Sequence, residues 1–310
     1  MRVAVMDVGT NSTRLFVADV ATDGALAELH RESTVTRLGD RVDATGRLAD
    51  DAMARVFATL DRYKATLDEH DVEASVALLT SAARDAENGP EFTAQIADRY
   101  AIDARIIDGD REAALTFAGA TSERPVDGRE IVVVDIGGGS TEFVLGRDGH
   151  VDFHVSTQAG VVRQTERHLH DDPPPPAGLQ ALTDEVAVIV AEAIPQDLRA
   201  RVNAGIAVAG TATSSAAIEL ALDPYDPLRV HGHVLELGSL GQILARLAQM
   251  DNDERREVVG LHPDRAPTIV AGVILMIETM RAFGLEEIEV SEHDILRGAA
   301  LRLASARPAG

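Results

Sequence analysis

The sequence predicts an α/β protein made of two similar halves, each a sheet flanked by helices. Three observations predict it. Short β-branched apolar runs alternate along the chain with longer stretches of helical apolar spacing, the signature of an α/β layer. Val3-Ala4-Val5-Met6-Asp7-Val8-Gly9-Thr10-Asn11-Ser12-Thr13-Arg14-Leu15 recurs at a shift of 128 positions, which lays Asp7 on Asp135, Gly9 on Gly137, Ser12 on Ser140 and Thr13 on Thr141. Ser122-Glu123-Arg124-Pro125-Val126-Asp127-Gly128 is polar and turn-rich, and divides the chain into expected domains at 1–124 and 125–310.

Taken in order, residues 3–8 and 14–20 read as strands, and Thr22-Asp23-Gly24 turns the chain into a third over 26–35. Met53, Val56, Phe57, Leu60, Tyr63 and Leu67 fall on one face of a helix over 49–69. A buried strand follows at 76–80, a helix to about Tyr100, a short strand over 104–107 and a helix over 112–121. The second half opens with strand 131–135, repeats the hairpin and adds a third strand over 151–156. Asp171-Asp172-Pro173-Pro174-Pro175-Pro176 cannot be helix interior or central strand and reads as a stiff surface connection. Helices over 183–194, about 211–222, 238–249, 252–258 and 266–283 surround a strand at 206–209. A strand over 287–291 and a helix over 294–304 finish the chain.

Composition narrows the function. The 310 residues carry 51 acidic and 29 basic side chains, a net charge of −22, which argues against a general nucleic-acid binder with its basic face. There is no cysteine, hence no disulfide framework and no thiolate nucleophile or metal ligand. The apolar run Ile269–Ile277 contains Gly272 and is too short to span a bilayer, and the N-terminus reads as a strand, not a signal peptide. A cytoplasmic protein with no membrane and no nucleic-acid partner is expected.

The repeated device carries the chemistry. Val132–Gly146 reads VVVDIGGGSTEFVLG, and a buried strand has no need of three consecutive glycines. A Gly-rich turn after a strand presents backbone N–H groups with no Cβ in the way, an arrangement that binds phosphate oxygens. Ser140 and Thr141 add hydroxyls, and Asp135 is placed to ligate a hard cation. A third turn, Val208-Ala209-Gly210-Thr211-Ala212-Thr213, sets glycine and hydroxyls at a helix start, where anions are favoured but a plain N-cap serves equally. His231 and His233 have no third ligand near them in sequence and read as loop packing, and His262 and His293 carry no supporting pattern.

Five segments in order resemble the exopolyphosphatase and guanosine pentaphosphate phosphohydrolase family of the actin, sugar kinase and acetate kinase superfamily. They are Asp7-Val8-Gly9-Thr10-Asn11-Ser12, Thr80-Ser81-Ala82-Ala83-Arg84-Asp85, Gly109-Asp110-Arg111-Glu112-Ala113, Asp135 to Glu142, and Val208 to Thr213. The resemblance runs from Val3 to about Leu303 and implies two ribonuclease-H-like domains flanking a cleft.

It also implies roles. Glu112 aligns with the family's catalytic base, and Glu142 with a carboxylate that positions water or metal. Asp135, Glu142 and Asp7 would hold Mg²⁺ or Mn²⁺. Thr10, Asn11, Ser12, Arg84, Gly137, Gly138, Gly139, Ser140, Thr141, Gly210 and Thr211 would bind phosphate. Arg14 stands opposite Glu142 in the repeat and would bind phosphate or pair across its hairpin, and Arg111 replaces a family glutamate. The implied activity is hydrolysis of terminal phosphoanhydrides in inorganic polyphosphate. The alternatives are removal of the 5′-phosphate of guanosine pentaphosphate, a non-catalytic alarmone sensor, or a kinase, for which no acceptor segment is evident. A homodimer is the family's expectation. The high negative charge and the two-domain length lead to an expected preference for short chains over long polymer.

Overall fold

The computed structural model describes residues 1–125 and 127–306. The chain forms two compact units. The first is Met1–Gly119 together with the last helix, Ile295–Ser305, and the second is Ala120–Asp294. The division expected at 124 and 125 differs from this chiefly in that last helix. It packs on the first sheet because Ile295, Leu296, Ala299 and Ala300 share a core with Val3, Val5, Phe16 and Leu115. Gly298 permits the approach: a Cβ there would lie 1.9 Å from the Leu115 carbonyl oxygen.

The first unit holds strands β1 (Arg2–Val8), β2 (Ser12–Val20), β3 (Leu26–Val35), β4 (Ala74–Leu79) and β5 (Asp103–Ile106), in the order β3-β2-β1-β4-β5. β1, β2 and β3 form an antiparallel meander, and β4 and β5 continue parallel to β1. Both faces are covered, so β1 and β4 read as continuous apolar runs and not as alternating ones. One face buries Ala4, Met6, Leu15 and Leu79 under helices Asp50–Glu69 and Gly89–Tyr100, whose Val56, Leu60, Tyr63, Phe92 and Ile96 recur at helical spacing.

The second unit repeats the plan with β6 (Ile131–Ile136), β7 (Thr141–Arg147), β8 (His150–Thr157), β9 (Ala204–Val208), β10 (Val234–Glu236) and β11 (Glu287–Val290). Their order is β10-β11-β9-β6-β7-β8. Read from β8 to β11, this is the topology of the first sheet, with β10 added antiparallel at the edge. Helix Ile269–Phe283 is buried almost throughout, which accounts for its apolar run over Ile269–Ile277. The proline run ends inside an element: Pro176 opens helix Pro176–Ala193, a position where a missing N–H costs nothing. Edge strand β10, helix Val161–His168 and the single turns Val42–Thr45, Ser81–Asp85, Gln196–Arg199 and Pro227–Val230 are among the elements the sequence pattern does not announce. Among the described residues no helix is long and apolar enough to cross a membrane.

Candidate active site

The two hairpins are the same device in three dimensions. The Gly9 N–H donates to the Ser12 carbonyl at 3.0 Å, and the Gly137 N–H donates to the Ser140 carbonyl at 3.0 Å. A Cβ on either glycine would stand 3.1 Å from that carbonyl oxygen, tighter than side chains normally allow. Asp7 lies opposite Arg14 across the β1–β2 ladder, as Asp135 lies opposite Glu142 across β6–β7.

In both turns the carbonyls are consumed by the surrounding fold. Thr10 C=O accepts from the Gly39 N–H at 2.9 Å, and Asn11 C=O from the Thr36 and Arg37 N–H groups at 3.0 and 2.9 Å. In the second unit, Gly137 C=O accepts from Val161 N–H at 2.9 Å, and Gly138 C=O from Val162 N–H at 2.8 Å. Gly139 C=O accepts from Arg163 Nε at 3.0 Å. The glycine run thus supplies the acceptors that the first turn of helix Val161–His168 requires. Gly160 makes the approach possible, since a Cβ there would be 2.3 Å from the Gly138 oxygen. The N–H groups of Thr10, Asn11, Gly138, Gly139 and Ser140 donate to no acceptor among the described residues. Each turn therefore spends its acceptors inward and keeps a row of donors.

Hydroxyls and charges fall out less uniformly. Thr141, placed by the sequence among phosphate donors, gives its hydroxyl to the Ala159 carbonyl at 2.6 Å and is fully buried. Thr211 is buried with its side chain against Gly272, where a Cβ would stand 2.8 Å from its Oγ1, so its hydroxyl faces helix Ile269–Phe283. Gly210 is needed for a different neighbour: a Cβ would fall 1.4 Å from Nη1 of Arg265, whose guanidinium lies on the start of helix Ala209–Glu219. Sequence reasoning missed Arg265 because no local motif joins it to a turn 55 residues earlier. Thr10 Oγ1 shares a 2.7 Å hydrogen bond with Ser81 Oγ, which ties the first hairpin to the segment carrying Arg84.

The hairpin partners decide where a cation fits. Arg14 donates to Asp7 Oδ2 through Nε at 2.9 Å and Nη2 at 2.6 Å, both side chains being largely buried. The carboxylate that the sequence reading gave to a metal is thus already met by a guanidinium. In the second unit the same register opposes two acids. Like charges directly opposite on a ladder repel, and Glu142 is only 3% exposed, with Oε1 accepting from Ser156 Oγ at 2.8 Å. Two carboxylates on one face of the ladder supply the oxygen ligands that a hard divalent ion takes.

The first unit contributes one more constellation. Glu112 stands in the first turn of helix Gly109–Ala120 and is 8% exposed. Arg84 Nη1 donates to Glu112 Oε2 at 2.9 Å and to the Ile107 carbonyl at 3.2 Å. Burial pushes the Glu112 carboxyl up to about 7, against the downward pull of Arg84; Asp7 raises it further and Arg14 lowers it. The fold therefore gathers Asp7, Arg14, Arg84 and Glu112 into one electrostatic group, although they come from three separate segments.

The Ppx/GppA phosphatase family model matches residues 16–304. The chain belongs to that family. Exopolyphosphatase 2 of Mycobacterium tuberculosis is 40% identical to it over 98% of both chains. The crystal structure of an exopolyphosphatase-like protein superposes with a TM-score of 0.91 at 32% identity, covering 98% of this chain and 99% of the other. The Ppx/GppA family member of Aquifex aeolicus superposes with a TM-score of 0.83 at 30% identity, covering 99% of each. As a Ppx/GppA member the chain is a phosphoanhydride hydrolase, and its two mixed sheets flanked by helices match the solved members of that family.

Proposed function

We propose that this Ppx/GppA member is an exopolyphosphatase that removes terminal orthophosphate from short inorganic polyphosphates in the presence of Mg²⁺ or Mn²⁺. The observation that carries the reading is Glu112: a buried carboxylate with an affinity for protons near neutrality, held in place by Arg84. A general base works best with that poise. In the proposed step ionised Glu112 takes a proton from water. The water oxygen bonds to the terminal phosphorus, the bridging P–O bond breaks, and the shortened polyphosphate leaves with that electron pair.

Phosphoryl transfer depends mainly on positioning and charge neutralisation. In the first unit, the Thr10 and Asn11 N–H groups and the Arg84 guanidinium serve phosphate oxygens. In the second, the N–H groups of Gly138, Gly139 and Ser140 do so, and Asp135 and Glu142 are the residues that would hold the cation. When bound, the cation offsets charge on the phosphoryl oxygens. The net charge of −22 supports a short substrate, since a long polyanion meets repulsion over its whole length.

Orthophosphate release from tripolyphosphate, long-chain polyphosphate, guanosine pentaphosphate and ATP, measured in parallel with Mg²⁺, tests this. The highest kcat/KM is expected on tripolyphosphate, with loss of release in Glu112→Gln. A ranking led by guanosine pentaphosphate would reassign the substrate. Tight binding with no release from any of the four would replace hydrolysis by sensing.

A further inference from the structure

Glu123, His231 and His293 lie on three loops of the second unit: after helix Gly109–Ala120, after the single turn Pro227–Val230, and after β11. Each offers one ligand atom, and all three atoms lie within 4.8 Å of one another. The two imidazole rings are 4.2 Å apart between centroids, and His293 Nδ1 is 3.8 Å from Glu123 Oε2. We propose that these residues form a binding site for a divalent transition-metal ion of the Zn²⁺ and Co²⁺ type, separate from the hairpin carboxylates.

The donor set selects the ion. Two imidazole nitrogens and one carboxylate oxygen suit borderline ions, whereas Mg²⁺ and Ca²⁺ take oxygen. With Zn–N and Zn–O bonds of about 2.1 Å, tetrahedral ligands stand roughly 3.3 Å apart, so the three atoms need only small side-chain movements to close on an ion.

The backbone around them is braced. Gly232 N–H donates to the Val290 carbonyl and Val290 N–H to the His233 carbonyl, both at 2.8 Å, which pins the His231 loop beside the end of β11. The His293 N–H donates to Ser291 Oγ at 3.0 Å, and that hydroxyl donates back to the His293 carbonyl at 3.2 Å. His233, the residue that sequence spacing pairs with His231, is instead engaged by Glu219 at 2.5 Å.

One internal bond must yield. The Glu292 N–H donates to His231 Nδ1 at 3.3 Å, long for such a bond. It assigns the ring proton to Nε2, so binding requires a change of tautomer or the loss of this contact. The ion thus completes the site instead of entering a finished one. Glu123 follows the first residue of the second unit, Ala120, and His293 precedes its last, Asp294, so the ion fastens the two ends of that unit's chain. The site stands at the same end of the sheet as Asp135, two strands away along β6-β9-β11, or roughly 10 Å at strand spacing.

The test uses the full chain stripped with a chelator. Zn²⁺ is titrated by calorimetry, and Co²⁺ is followed by its visible ligand-field absorption. One Zn²⁺ per chain is expected, with an intense Co²⁺ spectrum that excess Mg²⁺ does not erase. Glu123→Gln, at an exposed residue whose change spares the fold, and His231→Gln/His293→Gln should weaken binding more than the roughly 10–100-fold typical of losing an outer-shell partner. Asp135→Asn/Glu142→Gln should retain it. Absence of Zn²⁺ binding in the wild type would overturn the proposal. So would equal binding in the folded Glu123→Gln and double-histidine variants, or loss confined to the Asp135→Asn/Glu142→Gln variant.

Discussion

Arg84 holds Glu112 by a single 2.9 Å charge-assisted hydrogen bond, and the same guanidinium nitrogen reaches the Ile107 carbonyl at 3.2 Å. Burial and this ion pair act on Glu112 in opposite directions, and burial is the stronger. Removing the arginine therefore raises the proton affinity of the carboxylate further. For Arg84→Met, the acid limb of the kcat/KM–pH profile should move from near pH 7 to higher pH by about one unit or more. Arg84→Lys should restore part of the shift. An unmoved limb would remove Glu112 from the role of base.

Glu112→Gln should lower kcat by about 10²–10⁴-fold, the usual contribution of a positioned base, while the protein stays folded. The same variant has a pH signature in stability. The folded-state affinity of Glu112 for its proton is raised from the ordinary 4.5 to about 7. Its stabilising contribution is therefore complete below pH 4.5 and is lost as pH rises through 7. The melting temperature of Glu112→Gln relative to wild type should climb between pH 5 and pH 8, as read by calorimetry at each pH. A difference independent of pH would contradict the raised affinity.

The contrast between Asp7–Arg14 and Asp135–Glu142 predicts where Mg²⁺ acts. A ligand at 100 times its Kd stabilises by about 2.7 kcal/mol, or roughly 5–10 °C for a domain of this size. Wild type should show a Mg²⁺-dependent rise of that order in differential scanning fluorimetry. Glu142→Gln should lose most of it and Asp7→Asn should keep it. Loss in Asp7→Asn alone would return the cation to the first hairpin.

Gly160→Ala sets a methyl group 2.3 Å from the Gly138 oxygen and 2.4 Å from the carbonyl carbons of Gly138 and Gly139. Neither neighbour is a flexible side chain, so the loop must move. A loss of about 1–3 kcal/mol is expected, as for other overpacked sites, together with a KM raised more than kcat is lowered. Chemical denaturation and steady-state kinetics read the two effects. Gly210→Ala, by contrast, meets only the end of the Arg265 side chain and should cost less stability.

What the sequence determined by itself was everything encoded over a few residues. Apolar periods announced the longer strands and helices of both units, and the 128-residue repeat announced two hairpins that turn out to share their register and turn geometry. Five short motifs placed the chain in its family, because strand, turn and helix starts are set by local torsion and hydrogen bonding. The tertiary structure alone decided which charges meet. It paired Asp7 with Arg14 and left Asp135 facing Glu142, drew Arg84 onto Glu112 from 28 residues away, and laid Arg265 on Gly210. It also returned the last helix to the first sheet and gathered Glu123, His231 and His293 from loops far apart in the chain. Proton affinities and cation sites depend on burial and on neighbours across the fold, and neither is a property of any short stretch of sequence.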